Sequence, residues 1–378
     1  MKKKILFIHH VAAIGGASYC MLRLVRSVDR TEYEPFVLLG EDGPLAEEFR
    51  KDGTPVDILP GMSPLPYNKA LWRRSCLKRY AAQPLSDKSF DEYLSGHGHF
   101  DVVYLNNMLL APYLKIAHRH GCKAVIHLRE HWPEGEHALQ FAYLRSVIRK
   151  WADCVIAINE YSAGRIGVSG DKVHVVYDWI DMSGRFESMP FDSIFNADTS
   201  RMKVFLFLGG LNPIKGVHEV VEVFHNTQED DFRLLVVGNV PVGGMSAKMR
   251  KTLETIESDG RIVMIPSTYN IGHLLEQAYC TVSFFTIPHA NLPLAESIIS
   301  NCVCIAADTE ESREYSEGGS LAILFPFRNA EKFSAALHVD DAEYSALKRR
   351  LQLSSGIVAG KFDRTANIEK WHRIMSQV

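Results

Sequence analysis

The 378-residue sequence has no uninterrupted apolar stretch near the roughly 18 residues that would suggest a membrane span, so a soluble or at most peripheral protein is expected. It has no CxxC pair and no cysteine with a histidine at zinc-ligand spacing. Its seven cysteines, Cys20, Cys76, Cys122, Cys154, Cys280, Cys302 and Cys304, form an odd, unpatterned set, expected to stay as reduced thiols in cytosol. Low-complexity tracts and short-period repeats are also missing. Neither charge is in large excess: 42 Lys+Arg against 45 Asp+Glu leave a formal net charge of −3. That gives no global reason to expect nucleic acid, and any attraction to phosphate or membrane must come from local clusters. No DxD pattern stands at a strand end; Asp230-Asp231 and Asp340-Asp341 fall at the edges of expected helices.

What is present is an alternating pattern in a chain too long for one ordinary core, with 46% hydrophobic and 23% charged residues. The start, MKKKILFIHHVAAIGGAS, is read as a first β-strand rather than a signal peptide, because its apolar part is short, broken by His9-His10 and followed by Gly15-Gly16. From Lys4 to Asp178, runs such as ILFIHH, PFVLLG, VVYLNN, AVIHLRE and CVIAINE alternate with helical patterns beginning near Ala17, Pro44, Leu110 and Ala138. Continuous apolar strands are buried on both faces, which predicts a parallel sheet covered by helices. The rhythm lapses between Met182 and Ser200 and resumes at Lys203 with KVFLFLGG, FRLLVVGN, RIVMIP, CTVSFF, CVCIAAD and LAILFP. The expectation is α/β with two doubly wound Rossmann-like domains, 1–183 and 184–360, facing a cleft, and a last helix, 361–378, docked in a groove.

Two segments carry the strongest chemistry. FLFLGGLNPIKG (Phe205 to Gly216) ends a strand at Gly209-Gly210 and brings Lys215 after the turn, whereas PHANLPLAES (Pro288 to Ser297) opens a helix at Pro293 and places Glu296 in its first turn. Glycine at a strand end lets backbone approach a ligand, and free N–H groups at a helix start attract anions. A nucleotide diphosphate fits both: Lys215 as point charge, the helix start as oriented amides, Glu296 as acceptor for ribose hydroxyls. A lysine opening a helix is poorly placed for the helix dipole, which favours a ligand role for Lys215.

In the first half, Gly15-Gly16 lies between the first strand and the first helix. His127 ends a strand and is followed at once by Arg129, Glu130 and His131, a density of polar groups suited to a cleft wall, with Glu130 a candidate to act on an acceptor. Lys69 to Arg79 (KALWRRSCLKR) carries five cations, Lys69, Arg73, Arg74, Lys78 and Arg79, no acid, and Trp72 as an interfacial anchor. A second cluster, Arg145, Arg149 and Lys150, stands beside Trp151. Both suit anionic lipid or a polyprenyl-phosphate acceptor.

On these residues the chain resembles the retaining, nucleotide-sugar-dependent glycosyltransferases of family 4 (glycosyl transferases group 1), which have the GT-B architecture. The similarity runs nearly end to end and is stronger after Val204. Gly15-Gly16 matches the family's glycine-rich turn, His127 a frequent strand-end histidine, and YDWID (Tyr177 to Asp181) the place of "NG-x-D". GGLNPIKG looks like "GRL-x-P-x-KG", and LPLAESIISNCVCIAAD like "GLP-x-x-EA-x-A-x-G-x-PV". The resemblance implies donor contacts from Gly15, Gly16, Gly209, Gly210, Lys215, His289, Asn291, Leu292, Pro293, Leu294 and Glu296, with His127, Lys215 and Glu130 nearest the chemistry. It implies a nucleoside diphosphate sugar as donor and no other cofactor or metal. A glycan or polyprenyl-linked acceptor follows, in bacterial surface polysaccharide or glycoconjugate synthesis, as does a cytoplasmic location on or near the inner membrane face. The terminal helix is expected to return to the first domain.

Departures are as informative. The family's Arg beside the diphosphate falls on Gly210, its first glutamate on Pro288, and its mid-chain Asn-Gly on Asp178-Trp179. They keep three alternatives open: His289 or Asn291 contacting the sugar instead, an unusual donor, and a catalytically silent GT-B partner subunit; a GT-B epimerase, which would hydrolyse its nucleotide sugar without an acceptor, is a separate rival.

Overall fold

The computed structural model describes residues 2–66, 74–132, 138–168, 170–181, 188–240, 245–268 and 270–378, and divides into two units, Met1–Asp178 with Thr365–Val378, and Trp179–Arg364. Lys69, Trp72 and Arg73 lie outside the described residues.

Unit 1 is built on strands β1 (Lys3–His9), β2 (Tyr33–Leu39), β3 (Val56–Ile58), β4 (Val102–Leu105), β5 (Lys123–Leu128), β6 (Cys154–Ala157) and β7 (Val173–Val175). Between them run helices α1 (Gly16–Ser27), α2 (Pro44–Lys51), α3 (Arg74–Gly96), α4 (Pro112–Arg119), α5 (Ala138–Trp151) and α6 (Glu160–Ile166). The sheet is parallel, in the order β3-β2-β1-β4-β5-β6-β7. Ile5 to Ile8 are fully buried because helices cover both faces, which is why the strand sequences lack polar alternation. One face carries α3, α4 and α5. Against the other, the terminal helix packs Trp371, whose ring lies 6.4 Å from Phe7 and whose Nε1–H donates to the Tyr104 hydroxyl at 3.3 Å. The expected return of the chain's last helix to the first domain is therefore made by Thr365–Val378.

Unit 2 contains α7 (Phe191–Phe195), β8 (Lys203–Leu208), α8 (Val217–Asn226), β9 (Phe232–Val237), α9 (Ala247–Ser258), β10 (Ile262–Ile265), α10 (Ile271–Gln277) and β11 (Cys280–Ser283). It continues through α11 (Leu292–Ile299), β12 (Val303–Asp308), α12 (Glu310–Tyr315), β13 (Ile323–Pro326), α13 (Ala330–Ala336) and α14 (Asp341–Lys361), before α15 (Arg364–Gln377) carries the chain back to unit 1. The strand order is β10-β9-β8-β11-β12-β13, again parallel. In both sheets the order reverses once, between β1 and β4 and between β8 and β11. Loops leaving the carboxyl ends of such strands diverge there and open a crevice for ligands.

Candidate active site

The polypeptide leaving β8 first meets the one leaving β9. The N–H groups of Gly209 and Gly210 both donate to Val237 O, at 3.0 and 2.9 Å. Gly210 has φ +56°, and a Cβ added there would stand 2.6 Å from Asn239 O; one added to Gly238 (φ +142°) would stand 2.4 Å from Gly210 N. Two main chains thus touch at Gly210, the position to which the sequence resemblance assigns an arginine, and packing excludes any side chain there. Gly210→Ala is expected to cost about 2–4 kcal/mol in chemical denaturation, from left-handed backbone and overpacking together. Gly15→Ala should stay within about 0.5 kcal/mol, since its Cβ would meet nothing within 4 Å.

Beyond this contact the chain makes a single turn, Pro213–Lys215, whose Ile214 N–H is held by the Asn212 side chain at 3.0 Å. Gly216 (φ +84°) closes it, with no room for a Cβ against Phe284. Lys215 O accepts from Phe285 N at 3.1 Å and Ile214 O from Thr286 N at 2.9 Å, lacing together the loops on either side of the β8/β11 reversal. The Lys215 stem lies over Gly209, where a Cβ would come within 3.0 Å of it. Its ammonium sits 4.9 Å from the centre of the Phe285 ring, and Phe285 holds φ +40°, a costly conformation for an aromatic residue. Burial depresses the Lys215 ammonium and Glu296 partly restores it, yet among the described residues no carboxylate lies within 4.0 Å of Nζ and no acceptor takes its protons. A half-buried cation with no acid at ion-pair distance carries a cost that a bound anion would remove.

Helix α11 differs from expectation in register. It begins at Leu292, with Pro293 second and Asn291 as cap, so Glu296 is in the second turn and the first turn holds no acid. Dipole preference therefore does not account for Glu296. Asn291 is buried: its Oδ1 accepts from Leu294 N at 3.3 Å and from Ser283 at 2.9 Å, and its amide donates to Ser312 at 3.2 Å. It orients the loop, and its oxygen is already engaged. Pro293 has no N–H and the caps engage Leu294 and Ala295, which leaves the Leu292 N–H as this helix start's donor. His289 is exposed and stacks on Phe285 at 6.0 Å, so Lys215, Phe285 and His289 form one group. Pro288 is partly buried beside it. A cavity of about 500 Å³ runs along β10 and the end of β9, lined by Asn239, Val240, Leu253, Glu257, Met264 and Pro266 among others.

In unit 1 the reversal between β1 and β4 is densely polar. Gly15 and Gly16 start α1 with exposed backbone and no capping side chain from Gly15, so of the two helix starts this is the one with more amide capacity. The Asn106 amide donates to Ala17 O and to His9 Nδ1 (3.1 and 3.2 Å), and its oxygen accepts from Arg129 Nε at 2.8 Å. Asn107 donates to His10 Nδ1 at 2.6 Å. Burial holds His9 down at about 3, helped by His10 and Arg129; His10 is held at about 4 by burial and by Arg79, with Glu41 opposing. Arg129 grips Asp178 with Nη1 at 2.8 and 2.7 Å. Burial disfavours this guanidinium, but Asp178 together with Cys20 and Tyr104 outweighs it and the net shift is upward.

His127 is only 2% exposed. Its Nδ1 accepts from the Tyr104 hydroxyl at 2.8 Å, with an Arg129 N–H at 3.4 Å, while burial and then Arg129 keep the ring neutral. The proton must then reside on Nε2, a buried donor without a partner. Glu130 accepts from Met108 N (2.8 Å) and Arg129 N (3.3 Å), yet burial raises its carboxyl to about 7. The folded state therefore binds a proton that the unfolded chain has released, and stability falls as pH rises from about 4.5 to about 7. Glu130→Gln is expected to flatten that limb and add roughly 2 kcal/mol at pH 8, read from urea unfolding at several pH values. Of the basic set, Arg74, Lys78 and Arg79 are exposed on α3. The Arg129–Asp178 pair, Phe285 under Lys215 and the Gly238 contact were not foreseen in the sequence; a glycine ending LVVGN was the one local sign.

Comparison with known proteins agrees with this architecture. Residues 15–179 match the model of a glycosyl transferase 4-like domain and residues 192–339 that of the glycosyl transferases group 1. Among solved structures, Anabaena Alr3699/HepE in complex with UDP-glucose aligns with TM-score 0.76 at 17% identity, over 99% of this chain and 100% of that one. A glycosyltransferase from Rickettsia africae aligns with TM-score 0.69 at 15% identity, covering 100% and 98%, and sucrose-phosphate synthase from Thermosynechococcus elongatus with 0.72 at 14%, covering 100% and 99%. The search of curated proteins returned no match. The chain belongs to the GT-B glycosyltransferases of group 1.

Proposed function

We propose that the protein transfers a sugar, with retention of anomeric configuration, from a nucleoside diphosphate donor held by unit 2 to a glycan or lipid-linked acceptor, in bacterial surface polysaccharide or glycoconjugate synthesis. The observation that carries the donor reading is Lys215: a desolvated ammonium with no acid within ion-pair distance, at the strand-order reversal, beside Glu296. The pyrophosphate lies against Lys215 and the Leu292 N–H, Glu296 accepts the ribose hydroxyls, and the base enters the cavity along β10. Anabaena HepE, solved with UDP-glucose, supports a uridine diphosphate sugar as the first donor to test.

As the glycosidic bond breaks, charge accumulates on the departing diphosphate. A fixed ammonium and amide aimed there stabilise that state more than the ground state. No divalent ion is needed in this scheme, because Lys215 supplies the charge. Gly15-Gly16, the buried Nε2–H of His127, and Glu130 serve the sugar and acceptor side, Glu130 taking the acceptor proton in its ionised form. Incubation with a panel of UDP-sugars and acceptors, read by UDP release and by NMR of the product anomer, tests the proposal. An α-linked product from an α-configured donor is expected, also with chelator present. Inversion would overturn the stereochemical part. UDP binding without turnover on any pair would favour the silent partner subunit, and a released epimer without acceptor the epimerase.

A further inference from the structure

At the carboxyl ends of β4 and β5, unit 1 holds a hydrogen-bonded chain that begins on its terminal helix. Phe7 and Tyr104 are register partners on neighbouring parallel strands, so their rings share the sheet face against which Trp371 packs. Trp371 stacks on Phe7 and meets Tyr33 edge-on at 5.9 Å, which fixes the indole with its N–H aimed at the Tyr104 oxygen. An indole N–H only donates, and the oxygen 3.3 Å away therefore accepts. Burial pushes the Tyr104 phenol up, so it keeps its proton and gives it to His127 Nδ1 at 2.8 Å. A guanidinium N–H of Arg129, likewise a pure donor, faces the same nitrogen at 3.4 Å. Two donors aimed at Nδ1 leave it no proton of its own. Trp371, Tyr104 and His127 are all buried, so water does not compete for these bonds.

The terminal helix has a second hold on this group. Asn367 Oδ1 accepts from Tyr177 N at 3.0 Å, and the next residue, Asp178, makes both ion-pair contacts to Arg129. His127 Nε2 is thereby fixed in place with its proton, and it has no acceptor among the described residues. A buried donor left in that state is costly, and an oxygen brought by a ligand would satisfy it.

We infer that Tyr104 and Trp371 are positioning residues for the transfer reaction: the terminal helix, through Trp371 and then Tyr104, holds His127 as a neutral hydrogen-bond donor whose Nε2–H is directed at an oxygen of the bound substrate. His127 is then not a general base, since its one lone pair is spent on Tyr104. The role in transfer rests on the proposed function; the placement of the proton does not.

Nitrogen-15 NMR of the full chain labelled in histidine tests the two separately, a His127→Asn spectrum identifying the resonances. In the parent without ligand, Nε2 should carry the proton and Nδ1 should be an imine nitrogen accepting a hydrogen bond. In Tyr104→Phe the Nδ1 resonance should move to that of an unbonded imine nitrogen, and in Trp371→Phe part of the way, with urea unfolding verifying that both variants fold. Tyr104→Phe should lower kcat about tenfold to a hundredfold, the scale of a misaimed group, and leave UDP affinity unchanged. A parent ring protonated on Nδ1, or an Nδ1 resonance indifferent to Tyr104→Phe, would overturn the inference. A Trp371→Phe spectrum equal to the parent's would overturn the part given to the terminal helix, and shifted resonances with unchanged kcat the positioning role. A parent that transfers no sugar would count against the proposed reaction, with the NMR result still deciding where the proton lies.

Discussion

Replacing Lys215 with methionine is expected to lower kcat/KM for the nucleotide sugar by about 10²–10³, the scale of removing a preorganised group aimed at charge that develops in the transition state. Affinity for the free nucleoside diphosphate should fall less, about tenfold to a hundredfold, since a charge-assisted hydrogen bond contributes about 1.5–3 kcal/mol. The gap between the two losses is the informative quantity. Methionine keeps the stem that lies over Gly209 and removes only the ammonium held 4.9 Å from the Phe285 ring, so the turn laced to Phe285 and Thr286 stays formed. Steady-state kinetics beside calorimetric titration measures both. Equal losses would assign Lys215 to uniform binding, and no loss in either would remove it from the site.

The second large effect concerns stability. Asp178→Ala leaves the Arg129 guanidinium, whose side chain is 3% exposed, without its carboxylate, and should destabilise unit 1 by roughly 3–5 kcal/mol in denaturant unfolding at neutral pH. Arg129→Met combined with Asp178→Leu should recover most of that loss, because a buried ion pair matters chiefly when it is broken by halves. A cost below about 1 kcal/mol for the single change would mean that the Asn106 and His127 contacts already satisfy Arg129.

Much of the architecture could be read from local signals. Runs such as ILFIHH and FRLLVV contain few polar residues because both faces of the sheets are covered, and Pro44 opens α2 where proline loses no hydrogen bond. Helix α3 was legible only as a short basic stretch. It extends over 23 residues with Pro84 inside, and tertiary contacts of Phe90, Tyr93 and Leu94 hold it where helical spacing of apolar residues is weak. Lys215 was identifiable because a cation disagrees with what a helix start needs, and Glu296 because of the motif around it. Their settings were not: Gly210 depends on Gly238, 28 positions later, and Arg129 on Asp178, 49 positions later, and nothing in a single sequence pairs such residues. Asn291, expected among the donor contacts, is a helix cap, and the one-residue shift that this produces moves Glu296 into the second turn.

Everything chemical in this account descends from the pyrophosphate being held at the β8/β11 reversal, and a crystal structure of the protein grown with UDP examines that directly. A β-phosphate oxygen is expected in hydrogen-bond contact with Lys215 Nζ, a second phosphate oxygen at the Leu292 N–H, and the ribose on Glu296. A diphosphate bound elsewhere, or Lys215 closed onto Glu296 with nucleotide in excess, would contradict it.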